Sequence, residues 1–101
     1  MSIDKVIEIL SNVKPDDFDM NNLEKCISGQ IGKHLHPNDE RYHPTVETFA
    51  AFTGVNVDVA KEATYPKGEF NPAWEATPQQ AIEMLEILRD TGVVDWDLAM
   101  E

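Results

Sequence analysis

The chain has 101 residues, of which 42% are hydrophobic and 8% aromatic, so it is long enough for one hydrophobic core and too apolar to stay disordered. Its 19 acidic and 8 basic residues give a net charge of −11 at pH 7. A field of that sign repels nucleic acids and anionic membranes and favours basic protein partners. No apolar run approaches the roughly 20 residues of a transmembrane helix. We therefore predict one soluble domain spanning residues 1–101.

The compartment is predicted from the N-terminus and the cysteine count. The opening residues, Met-Ser-Ile-Asp-Lys, lack the basic-then-apolar order of a secretory signal. A single cysteine, Cys26, cannot form an internal disulfide, which agrees with a reducing compartment. We expect a cytoplasmic protein.

The first third of the chain has the apolar periodicity of two helices. The first covers residues 2–13, where Ser2 can act as the N-cap and Pro15 ends the pattern. The second is predicted from about Asn21 to Leu35, because apolar residues recur there at every fourth position. They are Leu23, Ile27, Ile31 and Leu35. Gly29 and Gly32 each cost this helix ~1 kcal/mol and indicate the close approach of a neighbouring backbone.

The middle of the chain predicts a helical hairpin at residues 45–64. Pro44 suits the start of its first helix, and Gly54 is a natural left-handed stop. Asn56 can cap its second helix, which ends before Pro66. The next stretch, about 66–77, is rich in proline and is predicted to be a loop that is anchored if Phe70 and Trp74 are buried.

The clearest helical pattern lies at 78–91. Thr77 and Gln80 form a capping box around Pro78, and Gly92 ends the helix. Its broad apolar arc predicts a central helix, with Glu83, Glu86 and Asp90 along its outer side. Asp95 can cap one further turn in which Trp96 folds back onto the core. The predicted fold is all-α, a compact single-domain bundle of four to six short helices.

The hairpin resembles the helix-turn-helix unit of DNA-binding proteins, with Ala50 and Gly54 at the positions of close crossing and turn. A recognition helix would carry Arg, Lys, Asn or Gln into the major groove. Here that helix offers Asn56, Asp58, Lys61 and Glu62. One basic and two acidic residues cannot neutralise several phosphates, so we predict no direct binding to nucleic acid.

All three histidines lie in HLHPNDERYH, residues 34–43. Zinc needs three or four converging ligands at about 2.0 to 2.3 Å. The available ligands are Cys26, His34, His36, Asp39, Glu40 and His43. Their spacing matches no zinc finger, and His34 and His36 would diverge by ~200° on one helix, so they converge only if His36 has left it. We favour the alternative, in which His34 lies on the buried face or in the last turn of the second helix and the other two flank a hydrated loop.

Several short segments resemble a family of small, largely uncharacterised α-helical proteins from bacteria and their phages. The segments are Phe18–Met20, Cys26–Gly29, 53–66, 77–81 and 88–96. The resemblance implies a helical fold and a phage or mobile-element origin, and it supplies no activity. Members carry a second cysteine in a CGT turn, which this chain lacks, so the resemblance implies no paired-thiol or metal role here.

We favour the hypothesis that the chain is an acidic protein-binding protein, such as a phage-encoded inhibitor of the anti-defence, nucleic-acid mimic or immunity type. It would mask a basic surface of a larger, nucleic-acid-binding protein. The last third of the chain carries eight acidic residues and only one basic residue, Arg89. The acidic residues are Glu69, Glu75, Glu83, Glu86, Asp90, Asp95, Asp97 and Glu101. An acidic surface that serves only solubility is the alternative.

Two other hypotheses use other features of the chain. One is a metal-, nucleotide- or small-ligand-binding domain that uses the cluster of Cys26, His34, His36 and His43. The other is a homodimeric or larger structural subunit that associates through the apolar arc of the last long helix. Cys26 and His34 have no visible orienting residue or oxyanion donor, so we predict no catalytic residues, no enzymatic activity and no cofactor.

Overall fold

The computed structural model describes residues 2–39, 41 and 44–101, and these form six α-helices, two short 3-10 helices and no strand. The α-helices are α1 (Ile3–Ser11), α2 (Ile27–Leu35), α3 (Val46–Thr53), α4 (Val57–Thr64), α5 (Pro78–Thr91) and α6 (Trp96–Ala99). The 3-10 helices cover Pro15–Asp17 and Pro72–Glu75. The all-α prediction is confirmed. The radius of gyration of 12.2 Å agrees with the ~13 Å of a compact chain of this length.

The helices enclose one core with α5 at its centre. Helix α5 packs against α1 and α6, α3 pairs with α4, and α2 lies against α1 and α3. The largest fully buried side chains are those of Val6, Leu10, Ile27, Ile31, Phe49, Met84 and Leu85. In the part of the chain that the structure describes, no helix has the length and apolar character needed to cross a membrane.

The predicted caps in the second half of the chain are confirmed. The predicted place of Pro44 at the start of α3 is wrong, because Thr45 is the N-cap and the helix begins at Val46. The Oγ1 atom of Thr77 accepts a hydrogen bond from the N–H of Gln80 at 3.2 Å, and the Gln80 side chain accepts one from the Thr77 N–H at 3.0 Å. Gly54 and Gly92 end α3 and α5 with φ angles of 80° and 77°, in the left-handed region that favours glycine. Side chains of Ser2, Asn56 and Asp95 cap α1, α4 and α6.

The predicted start of the second helix is wrong, because α2 begins at Ile27 rather than near Asn21. The segment before α2 is a series of turns, held by backbone hydrogen bonds such as that from the N–H of Lys25 to the carbonyl of Asn22 at 3.0 Å and by side-chain acceptors. Asp19 and Asn22 each accept a hydrogen bond from the N–H two residues later, both at 2.8 Å. Leu23, the first of the four regularly spaced apolar residues, is consequently outside the helix and 65% exposed.

The proline-rich segment 66–77 is partly anchored. Pro66, Ala73 and Ala76 are buried, and Trp74 is half-buried, with its indole N–H donating to the carbonyl of Gly68 at 2.9 Å. Phe70, the other expected anchor, is 91% exposed. Small residues and the 3-10 helix therefore hold this segment to the core.

Candidate functional site

The predicted acidic side of α5 faces solvent. Glu83 and Asp90 are exposed and Glu86 is half-buried, while Met84 and Leu88 of the same helix are buried in the core. The α-helical period of 3.6 residues brings the three carboxylates onto one stripe opposite the core. The stripe begins in the first half of α5 and ends in its last turn.

At one end of this stripe, the basic side chain of Arg89 pairs with two carboxylates. Arg89 donates from Nε to Asp90 at 2.9 Å and from Nη1 to Asp4 of α1 at 2.8 Å. The hydrogen bond and the positive charge of Arg89 lower the pKa of the Asp90 carboxyl, and its two carboxylate partners raise the pKa of the guanidinium. All three side chains are exposed, so solvent weakens these pairs, but Asp90 is less available to an outside cation than Glu83.

The other predicted acidic residues occupy three further places. Asp95 and Asp97 flank Trp96 and, with Glu62 and Lys67, line a shallow hollow of about 250 Å³. Asp95 also accepts a hydrogen bond from the N–H of Leu98 at 3.0 Å as the cap of α6. The exposed residues Glu69, Glu75 and Glu101 lie in the proline-rich segment and at the C-terminus. The seven residues Glu69, Glu75, Glu83, Glu86, Asp90, Asp95 and Asp97 are called the acidic face below.

Within the part of the chain that the structure describes, few of these carboxylates are neutralised by a basic residue. Between described residues there are three ion pairs, Lys5 with Glu8 and Arg89 with both Asp4 and Asp90. Asp90 is thus the one member of the acidic face in an ion pair between described residues. The others retain their charge for a partner or for solvent ions.

The histidine loop is open to solvent where the structure describes it. His34 lies in the last turn of α2, as one of our two predicted placements had it, but the side chain is exposed, so its placement on the buried face is wrong. The buried part of α2 ends at Gly32, and the His34 ring makes an edge contact with Phe52 at 6.2 Å between ring centroids. His36 has left the helix and forms its C-cap.

The prediction that this loop is not a metal site stays a prediction. No three described His, Cys, Asp or Glu side chains are grouped closely enough to hold a metal ion, while Glu40 and His43 of the predicted ligand set lie outside the described residues. Cys26 is separated from the loop along the length of α2, because it is the N-cap of that helix and His36 its C-cap.

Cys26 instead belongs to a groove of about 230 Å³ beside the N-terminus of α2. Its half-buried Sγ accepts a hydrogen bond from the N–H of Gly29 at 3.4 Å. Ser28 lines the same groove and is only 5% exposed, and its Oγ atom has no hydrogen-bond partner among the described residues. Sequence reasoning did not find Ser28, because its burial depends on the packing of three distant segments around it.

The α3–α4 hairpin has the close crossing that its small residues predict. Ala50, Ala60 and Ala63 are buried where the two helices meet. On its outer side α4 exposes Asp58, Lys61 and Glu62. The surface that would face DNA in a helix-turn-helix protein therefore carries more negative than positive charge.

No protein-family model matches the chain, and no curated protein or solved structure is significantly similar to it.

Proposed function

We propose that this protein binds a basic surface of a larger protein through its acidic face. The observation that carries the proposal is that every member of this face except Asp90 has no ion-pair partner among the described residues. An exposed carboxylate without an internal cation keeps its full attraction for an ammonium or guanidinium group on another protein. The alternative, a surface that serves solubility alone, predicts no selective partner.

The α5 stripe favours a partner that normally holds a nucleic acid. At 1.5 Å per residue, Glu83, Glu86 and Asp90 place one carboxylate about every 4.5 to 6 Å along the helix axis. Along the axis of a DNA duplex, each strand presents a phosphate about every 3.4 Å. The stripe is a sparser row of negative charge on a rigid helix, which suits a groove lined with Lys and Arg. Occupying that groove would exclude the nucleic acid, so we propose an inhibitory role of the anti-defence, nucleic-acid mimic or immunity type.

Opposite charge mainly accelerates the encounter of two proteins, and its effect falls with ionic strength. We therefore expect association through the acidic face to be fast at low salt and to weaken between about 50 and 300 mM salt.

The test compares two double variants that change the net charge equally. In Glu83→Lys/Glu86→Lys the acidic face is altered, whereas Asp16→Lys/Asp17→Lys alters exposed carboxylates of the first 3-10 helix, outside that face. Each variant serves as bait in a lysate of the native host at about 150 mM salt, where interactions between exposed charges more than ~8 Å apart are largely screened. We expect the unaltered chain and the Asp16/Asp17 variant to capture the same basic partner. The Glu83/Glu86 variant should capture at least about tenfold less of it.

Equal losses for both variants would show that only the net charge matters, and no loss for either would contradict the proposal. The retained partner is then tested for nucleic-acid binding, which the unaltered chain should inhibit in competition.

A further inference from the structure

We propose that the groove beside the N-terminus of α2 is a second binding site, which takes a segment of a partner protein carrying one apolar side chain next to lysine or arginine. We call it the Cys26 groove. Its walls include Met20, Leu23, Cys26, Ser28, Tyr65 and Trp74. It uses none of the α5 carboxylates, so it does not depend on binding through the α5 stripe, although Glu75 of the acidic face lies next to it along the chain.

The size and lining of the groove suit one anchoring side chain. Its volume of about 230 Å³ is below the ~300 to 1,000 Å³ of pockets that enclose drug-sized molecules. Among the described residues that line it, none is Asp, Glu, Lys, Arg or His. Leu23 is 65% exposed and Tyr65 48% exposed, so both leave apolar surface that a partner could cover. The rings of Tyr65 and Trp74 meet edge to face at 6.3 Å, which gives the groove an aromatic wall.

The hydroxyl of Ser28 supplies the polar contact. A serine inside a helix commonly donates to the carbonyl four residues earlier. That carbonyl belongs to Glu24, which lies in the turn before α2, and Ser28 makes no such bond. A buried hydroxyl without a partner is costly, and the cost is relieved when a ligand supplies an acceptor. The carbonyl groups of an extended protein segment are suitable acceptors.

The charge around the groove selects basic flanking residues. Four exposed carboxylates, those of Asp19, Glu24, Glu47 and Glu75, each lie one residue along the chain from a residue that lines the groove. The one described cation in such a position is the half-buried Lys25. Among the described residues next to the lining, negative charge thus exceeds positive charge, so lysine or arginine on either side of an apolar anchor would be attracted, while an acidic segment would be repelled.

The single cysteine gives a direct readout of occupancy. The alkylation rate of Cys26 by iodoacetamide is measured on the full chain with three blocked peptides. They are Lys-Lys-Leu-Lys-Lys, the same peptide with Gln for Leu, and Glu-Glu-Leu-Glu-Glu. We expect the leucine peptide to slow alkylation. The glutamine peptide should need a concentration at least about tenfold higher for the same protection, because burying a leucine is favourable. Equal protection by the glutamine peptide, or by the acidic peptide, would overturn the proposal.

Variants with matched controls locate the binding. Leu23→Ala should lower the affinity for the leucine peptide about fivefold. Leu98→Ala, at an exposed leucine outside the groove, should change that affinity less than about twofold. Ser28→Ala should weaken peptide binding and raise the thermal midpoint of the free protein, because it removes an unsatisfied hydroxyl. Unchanged affinity in both Leu23→Ala and Ser28→Ala would overturn the proposal.

The result is separable from the test of the acidic face. Glu83→Lys/Glu86→Lys should leave Cys26 protection by the leucine peptide within about twofold of the unaltered chain, since both residues lie outside the groove. A loss of protection in that variant would show that the peptide is held by overall charge and would overturn the proposal. If this variant loses the host partner but still binds the peptide, the Cys26 groove is a binding site separate from the α5 stripe.

Discussion

At the scale of single residues, Gly29 allows the turn before α2 to pack directly on the helix. A Cβ atom at this position would lie 2.5 Å from the carbonyl carbon of Glu24 and 2.6 Å from the carbonyl oxygen of Leu23. The buried Gln30 holds the same turn, donating to the carbonyls of Asp17 and Lys25, both at 2.9 Å. The close backbone approach that the sequence predicts for Gly29 is confirmed, and it fixes one wall of the Cys26 groove.

Gly29→Ala is expected to destabilise the protein by about 2 kcal/mol, because backbone atoms must move to admit the methyl group and the gain in helix propensity of about 1 kcal/mol does not compensate. Urea unfolding measures the free energy. Lys33→Ala in the same helix is the control, since its side chain is exposed, and it should change stability by less than about 0.5 kcal/mol. A Gly29→Ala protein as stable as the parent would contradict the tight contact.

At the scale of helices, α5 could be predicted at both ends while α2 could be predicted only at one. Thr77, Gln80 and Gly92 act locally, through hydrogen bonds and backbone angles that the residue types themselves favour. The apolar spacing before α2 is equally regular, but Asp19 and Asn22 offer the backbone competing bonds that a periodicity does not register. The starts of both helices are thus decided by local hydrogen bonds, and the predicted start of α2 is wrong because it rests on apolar spacing alone.

Thr77→Ala should destabilise the protein by about 1 kcal/mol, because the N–H of Gln80 loses its acceptor at the start of the central helix. Thermal and urea unfolding measure the change. Gln79→Ala is the control, as Gln79 is exposed in the same turn and is not part of the capping box. Equal effects of the two substitutions would mean that the cap contributes nothing beyond helix propensity.

At the scale of the whole molecule, the carboxylates were predictable as a class but their arrangement was not. The helical period correctly predicts the stripe of Glu83, Glu86 and Asp90. The pairing of Arg89 with Asp4 joins residues 85 positions apart, and the Cys26 groove assembles α2, α3, α4 and the proline-rich segment. Contacts between distant segments depend on how the helices pack, which the sequence pattern of any one helix does not contain.

The excess negative charge has a consequence for stability that salt should reveal. The molecule measures 35 × 27 × 24 Å, and the Debye length falls from about 30 Å at 10 mM salt to about 8 Å at 150 mM. At the lower concentration the carboxylates therefore repel one another across the whole protein, and at the higher one only neighbours interact. We expect sodium chloride over this range to stabilise the fold by about 1 kcal/mol and to raise the thermal midpoint by about 5 °C.

Asp16→Lys/Asp17→Lys provides the comparison, since replacing two negative by two positive charges changes the net charge from −11 by +4 to −7. Self-repulsion falls with net charge, so the salt-induced rise in this variant should be about half as large. Potassium chloride should act like sodium chloride, because screening depends on ionic strength and not on the identity of the cation. An equal rise in both proteins, or a fall with salt, would mean that repulsion among the carboxylates does not limit stability. In that case the charge of the acidic face would not destabilise the fold, because well-separated and solvated carboxylates repel one another only weakly in water.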